Sequence, residues 1–173
     1  MKYFNLLILL VLLSSCKKEI NTTTDNDSIV NDSTKIKKED ISKINYLEFA
    51  IDNKAKGTLE SWNAYNTISS AINNLKEGDL SFFKDQDEVF NTTLQELEST
   101  IPSKIGSEPI KARLLILKTK LLKFREATNL PTTTKQENLL VLKELFQSFS
   151  YVTLQINKKF EKEAQNIIKL DSL

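Results

Sequence analysis

The strongest constraint on this chain is the spacing of its apolar residues between 134 and 168. Leu139, Leu142, Phe146, Phe149, Val152, Ile156, Phe160, Ala164 and Ile167 follow one another at steps of three and four. That period places them on one face of an α-helix and leaves the intervening Lys and Glu outside it. Thr134 and Glu137 stand three apart just before the stripe. Their side chains can cap each other's backbone N–H groups, so the helix is predicted to start there.

Three further segments carry the same period. From about Ser107 to Asn129, Ile110, Leu114, Leu117, Leu121, Phe124 and Thr128 form a seam, widened by Leu115 and Leu122. Ser107 is the expected N-cap, and Pro109 falls in the first turn, where a missing N–H costs nothing. From about Asp85 to Thr100, the seam is Val89, Phe90, Thr93, Leu94 and Leu97, with Asp85 and Glu88 at the cap and third positions. From 44 to 77 there are two stripes, Leu47, Ile51 and Ala55, then Leu59, Trp62, Tyr65, Ser69 and Ile72. Gly57 lies between them, and a helix is expected to kink or break there. Phe82 and Phe83 sit in the turn after Gly78 and are read as a plug for the bundle end.

The expected fold is therefore all-α: an up-down bundle of about four helices, two long and two shorter. At 1.5 Å per residue the 44–77 and 134–168 helices would be roughly 50 Å long, the others roughly 35 Å and 24 Å. The two longest would lie side by side. Scarcity of turn residues agrees: the 173 residues include three Gly and three Pro, where an average chain has about 12%.

The same scarcity excludes much chemistry. Gly57, Gly78 and Gly106 are too far apart for a phosphate-cradling loop or a nucleophile elbow. There is no His, hence no His-based triad and no His-ligated metal. The one cysteine, Cys16, can form neither an internal disulfide nor a multi-Cys metal site. No catalytic residue, cofactor or metal ligand set is assigned, and the chain is not expected to be an enzyme.

The N-terminus reads differently from the rest. Lys2 precedes an unbroken apolar run from Leu6 to Leu13. The run is too short to span a bilayer and has the length of a signal-peptide core. Residues 17–40 are rich in Thr, Asn, Asp and Ser, with scattered apolar residues. They cannot bury enough apolar surface to offset chain entropy, so a disordered tether is expected. Its mean span would be roughly 25–30 Å and its full reach about 80 Å.

Leu13-Ser14-Ser15-Cys16 resembles the lipobox of bacterial lipoproteins at every position. The resemblance covers residues 1 to about 20. It implies cleavage between Ser15 and Cys16 and lipidation of Cys16 on its thiol and amine. Several acyl chains, palmitate among them, anchor a protein stably where one does not. Cleavage would remove Lys2, one of 24 basic side chains against 23 acidic ones, so the mature body would be neutral. Attachment to the membrane would then rest on lipid, not charge. The absence of Asp after the cysteine resembles outer-membrane sorting in enteric Gram-negative bacteria. Cys16-Lys17-Lys18-Glu19 is similar to the surface-export signal of Bacteroidota lipoproteins, with Ile20 where a second acid belongs. Whether the periplasmic or the surface face is meant stays open.

Asp27-Ser28-Ile29 and Asp32-Ser33-Thr34 resemble the O-glycosylation sequon of the same bacteria, which makes Ser28 and Ser33 candidate acceptors; Asp171-Ser172-Leu173 matches again. Plain linker composition produces the same matches. The domain reading is thus a signal peptide at 1–15, a lipidated Cys16 and tether through 40, a bundle at 41–170 and a tail at 171–173. The bundle is similar in general pattern to uncharacterised all-helical Bacteroidota lipoproteins, a likeness that implies no activity.

Few residues stand out as sites. Trp62 and Tyr65 share a helix face and could form a recognition surface, although such aromatics are more often core. Arg113, beside the apolar seam, is expected to reach a carboxylate on another helix; a clamp for a ligand carboxylate is the lesser alternative. Asp85, Asp87 and Glu88 cluster, but acids at a helix start follow from the helix dipole alone. Lys143, Lys158, Lys159, Lys162 and Lys169 intermix with Glu144, Glu161 and Glu163, as on a solvated face, so no nucleic-acid partner is expected. The function expected is a lipid-anchored module of the outer membrane whose partner is a protein of the envelope. The alternative is a bundle carrying a small apolar ligand or a carboxylate-bound metal.

Overall fold

The computed structural model describes residues 35–165. The expected leader, Cys16, Ser28, Ser33 and the tail at 171–173 lie outside the described residues. Those that are described form an all-helical fold without a strand. The helices are α1 (Lys38–Ile41), α2 (Asn53–Glu60), α3 (Asn63–Lys76), α4 (Ser81–Lys84), α5 (Asp87–Ser99), α6 (Glu108–Asn129) and α7 (Lys135–Ala164). None of them is long and apolar enough to cross a membrane.

The four longer helices alternate in direction. Arg113 lies over Tyr151, and Lys120 and Lys123 both reach Glu144, so α6 and α7 run antiparallel. Arg125, near the end of α6, pairs with Asp87 at the start of α5. Tyr65 meets Phe149 and Thr153, while Glu77 and Lys135 both meet the α1 turn through Lys38 and Asp40. Helix α3 therefore runs against α7 as well. The up-down expectation holds, with one change. The long pair is α6 and α7, the most extensively packed pair, and not the first and last helices.

Periodicity located the core of the last two helices well. Ile110, Leu114, Leu117, Leu121 and Phe124 are buried on α6; Leu142, Phe146, Val152, Ile156 and Phe160 are buried on α7. The Thr134–Glu137 capping box is present: Glu137 N–H donates to Thr134 Oγ1 at 3.2 Å, and Thr134 N–H to a Glu137 carboxylate oxygen at 2.8 Å. Those bonds hold the Glu137 carboxyl below the usual carboxylate range. The widening of the α6 seam is corrected: Leu115 and Leu122 are 64% and 46% exposed. They stand outside the arc that the neighbouring helices cover.

Phe82 and Phe83 do plug the end of the bundle. They are buried with Phe90 and Phe124 in a cluster of edge-on and tilted rings, with Phe83 and Phe124 4.9 Å apart. Helix α5 begins at Asp87 with Gln86 as N-cap, so Asp85 and Glu88 do not hold the cap and third positions.

The 44–77 expectation needs the largest correction. Residues 44–52 are not helical, and the next break falls at Ser61–Trp62 rather than at Gly57. The segment 44–52 runs as an extended strap along α7, and side chains of α7 supply the backbone partners that a helix would have provided. Ser150 Oγ accepts from Phe49 N–H at 2.9 Å and donates to Leu47 C=O at 2.8 Å. Asn157 accepts from Asp52 N–H at 2.9 Å and donates to Ala50 C=O at 2.8 Å. Ser150 and Asn157 are two turns apart on α7, so they share a face. Ile44, Tyr46 and Ile51 pack on the core, whereas Leu47, assigned to a helical stripe, is 63% exposed.

The tether boundary at 40 is also corrected. Residues 38–41 form the α1 turn, with Ile41 buried and Ile36 against the core. Asp40 pairs with Lys135 at 2.5 Å, and this bond lowers its pKa from the usual carboxylate value.

The two glycines near α3 are opposite cases. Gly57 lies inside α2, where a Cβ would meet nothing within 4 Å. Gly78 ends α3 at φ +88°, with its N–H on Leu75 C=O and the Asp79 N–H on Asn74 C=O. This is a Schellman ending, and it needs the left-handed backbone that glycine adopts freely. Gly57→Ala is expected to stabilise by about 0.5–1 kcal/mol. Gly78→Ala is expected to destabilise by about 1–2 kcal/mol. Urea titrations of the two variants should move the midpoint in opposite directions.

Candidate functional site

The structure disperses the residues singled out in the sequence. Trp62 and Tyr65 are buried, which removes them as an interaction surface. Their rings stack 5.3 Å apart, and Tyr65 stacks in turn on Phe149 at 5.6 Å. The Tyr65 hydroxyl meets Thr153 Oγ1 at 3.5 Å, and burial pushes the phenol pKa up. Among the described residues, the Trp62 indole N–H has no partner, and neither has the Asn138 side-chain oxygen. Aromatic bulk at the break between α2 and α3 was worth more to the core than to the surface.

Among the described residues, Arg113 reaches no carboxylate. Its guanidinium lies 5.5 Å over the exposed ring of Tyr151, the neighbour of buried Val152, in a cation–π contact. The pairing expected of it belongs to Arg125. That guanidinium binds Asp87, donates to Asn91 Oδ1 at 3.2 Å and lies 4.4 Å over Phe90. The acids at 85–88 are exposed, and Asp87 is taken by Arg125. Among the described residues, no group of three or more acidic or Cys side chains is placed to hold a metal ion. Lys120 and Lys123 of α6 both pair with Glu144 of α7: Lys123 first, then Lys120, holds the Glu144 carboxyl below its usual range.

The feature that sequence reading passed over is a groove of about 420 Å³ between α3 and the corner formed by α4 and the start of α5. One wall is a stripe on α3: Asn63, Asn66, Thr67, Ser70 and Asn74. Their spacing of three and four puts them on one helix face. Ser81 and Gln86 stand opposite, and the buried Ala71 and Phe82 form an apolar floor. Among the described residues, no charged side chain lines it. Asn66 is partly occupied: its Nδ2 donates to Leu59 C=O at 3.0 Å and Glu60 C=O at 3.2 Å, which ends α2 and leaves its Oδ1 as an acceptor. The side chains of Asn63, Thr67, Ser70 and Asn74 make no hydrogen bond among the described residues. The signal was in the sequence as an amide and hydroxyl stripe, hidden behind the apolar stripe of the same helix.

The comparisons with known proteins add no relative: no family model, no curated protein and no solved structure matches the chain.

Proposed function

We propose that the protein is a lipid-anchored module of the bacterial cell envelope that works by binding rather than catalysis. The observation that carries this reading is Leu13-Ser14-Ser15-Cys16 at the end of an eight-residue apolar run that includes Leu13. An uncleaved run of that length cannot hold a protein across a bilayer, whereas acyl chains on Cys16 can hold it at the surface. The outer membrane is the proposed location, from Lys17 after the cysteine. The described body supports a binding role in its composition. It has no His and no Cys among the described residues. Leu115, Ile116 and Leu122 stand exposed on α6, which supports contact with an envelope protein.

Metabolic labelling with an alkyne fatty acid tests the anchor. The parent chain is expected to take the label and to sediment with membranes. Cys16→Ala is expected to lose the label entirely and to leave the outer-membrane fraction. Label retained by Cys16→Ala would overturn the reading.

A further inference from the structure

We propose that the groove on α3 binds a neutral oligosaccharide. The inference does not rest on the lipid anchor, since the groove belongs to the folded body whether or not Cys16 is acylated.

The first argument is charge. Asp, Glu, Lys and Arg make up 27% of the chain, yet among the described residues none of them lines the groove. A charged ligand would lose hydration there and gain no counter-charge, which is costly. A neutral ligand meets no such penalty.

The second argument is hydrogen-bonding type. Amide and hydroxyl side chains each both donate and accept. Sugar hydroxyls do the same, so neighbouring hydroxyls on a ring can bond to one amide in both senses. Asn63, Ser70 and Asn74 have these groups unspent, and the Asn66 Oδ1 adds an acceptor. Bonds made at a site whose groups are already water-bound give modest net affinity each, so a row of them is needed. The stripe from Asn63 to Asn74 supplies that row over roughly 16 Å of helix, long enough for several linked rings.

The third argument is the floor. Phe82 and Ala71, 7% and 4% exposed, show only a narrow apolar edge at the base of the polar wall. A pyranose presents one face of C–H groups and a rim of hydroxyls, so a narrow apolar base beneath a polar wall matches it in kind. The groove volume of about 420 Å³ lies within the range of small-ligand sites. An extended peptide fits less well. It satisfies its backbone best against a sheet edge, and the described residues contain no strand.

The test uses the full chain in a non-glycosidic detergent, titrated with cellohexaose, maltohexaose and chitohexaose, and with an oligogalacturonate as the charged comparator. Calorimetry should show at least one neutral oligomer binding with a Kd of about 1 mM or tighter. Ser70→Lys, an exposed helix position in the groove, should weaken it at least about tenfold, and Gln86→Lys on the opposite wall should do likewise. Asn73→Lys, exposed on α3 outside the groove, should leave it within about twofold. Thermal melting confirms that each variant is folded. The proposal is overturned if none of the neutral oligomers binds up to about 10 mM. It is also overturned if the oligogalacturonate binds as tightly, or if folded Ser70→Lys and Gln86→Lys bind as the parent does.

Discussion

Phe83→Ala should lower the unfolding free energy by about 3–5 kcal/mol, the largest loss expected from any single substitution discussed for this chain. The ring is almost fully buried where α4, α5 and α6 meet. It touches Phe82 at 5.2 Å, Phe90 at 5.8 Å and Phe124 at 4.9 Å. Each neighbour is pinned by others, so the space left by the ring cannot close by one side chain swinging in. The cost is then the lost transfer free energy plus the cavity. Leu115→Ala is the companion measurement. Leu115 is as apolar as many core residues, but it is 64% exposed. Its removal should change stability by no more than about 0.5 kcal/mol. Equal losses in the two variants, measured by urea unfolding, would show that Leu115 is packed and the described burial is wrong.

The double substitution Ser150→Ala with Asn157→Ala should cost about 2–4 kcal/mol, since four hydrogen bonds to the strap disappear together, the two of Ser150 part-buried and the two of Asn157 exposed. The sharper readout is local. Amide exchange of Phe49 and Asp52 should become nearly unprotected, while amides in the middle of α6 and α7 stay protected. Protection retained at Phe49 and Asp52 would mean that Ile44, Tyr46 and Ile51 alone hold the strap through apolar packing.

The strap also explains where sequence reasoning stopped working. Leu47, Ile51 and Ala55 have helical spacing, and nothing local contradicts a helix through them. The deciding groups lie 101 and 107 residues away, on Ser150 and Asn157. A local period cannot report a partner that only the tertiary fold brings near. By contrast, α6 and α7 were legible because their signals are local: Pro109 at the start of one, Thr134 with Glu137 at the start of the other, and a long apolar period in both. Leu115 and Leu122 were misplaced for a geometric reason. Periodicity states which residues share a face, but not how wide an arc the neighbours will cover. Trp62 shows the same limit, because its type permits core or interface and only the break between α2 and α3 decides. The groove was legible in principle from Asn63, Asn66, Thr67, Ser70 and Asn74. Their opposite wall, at Ser81 and Gln86, could be placed only after the α3–α4 turn at Gly78 was known.

The long sequence separation of the strap contacts has a consequence for how the chain is made. Synthesis proceeds from the N-terminus, at about 5–20 residues per second. When residues 44–52 leave the ribosome, Ser150 and Asn157 have not yet been polymerised. For that interval the strap backbone has water as its only hydrogen-bonding partner, and it stays undocked until the middle of the last helix has emerged. The α6–α7 pair forms from neighbouring sequence and can assemble first. The strap at the beginning of the body is therefore fastened only once the last helix is available to receive it.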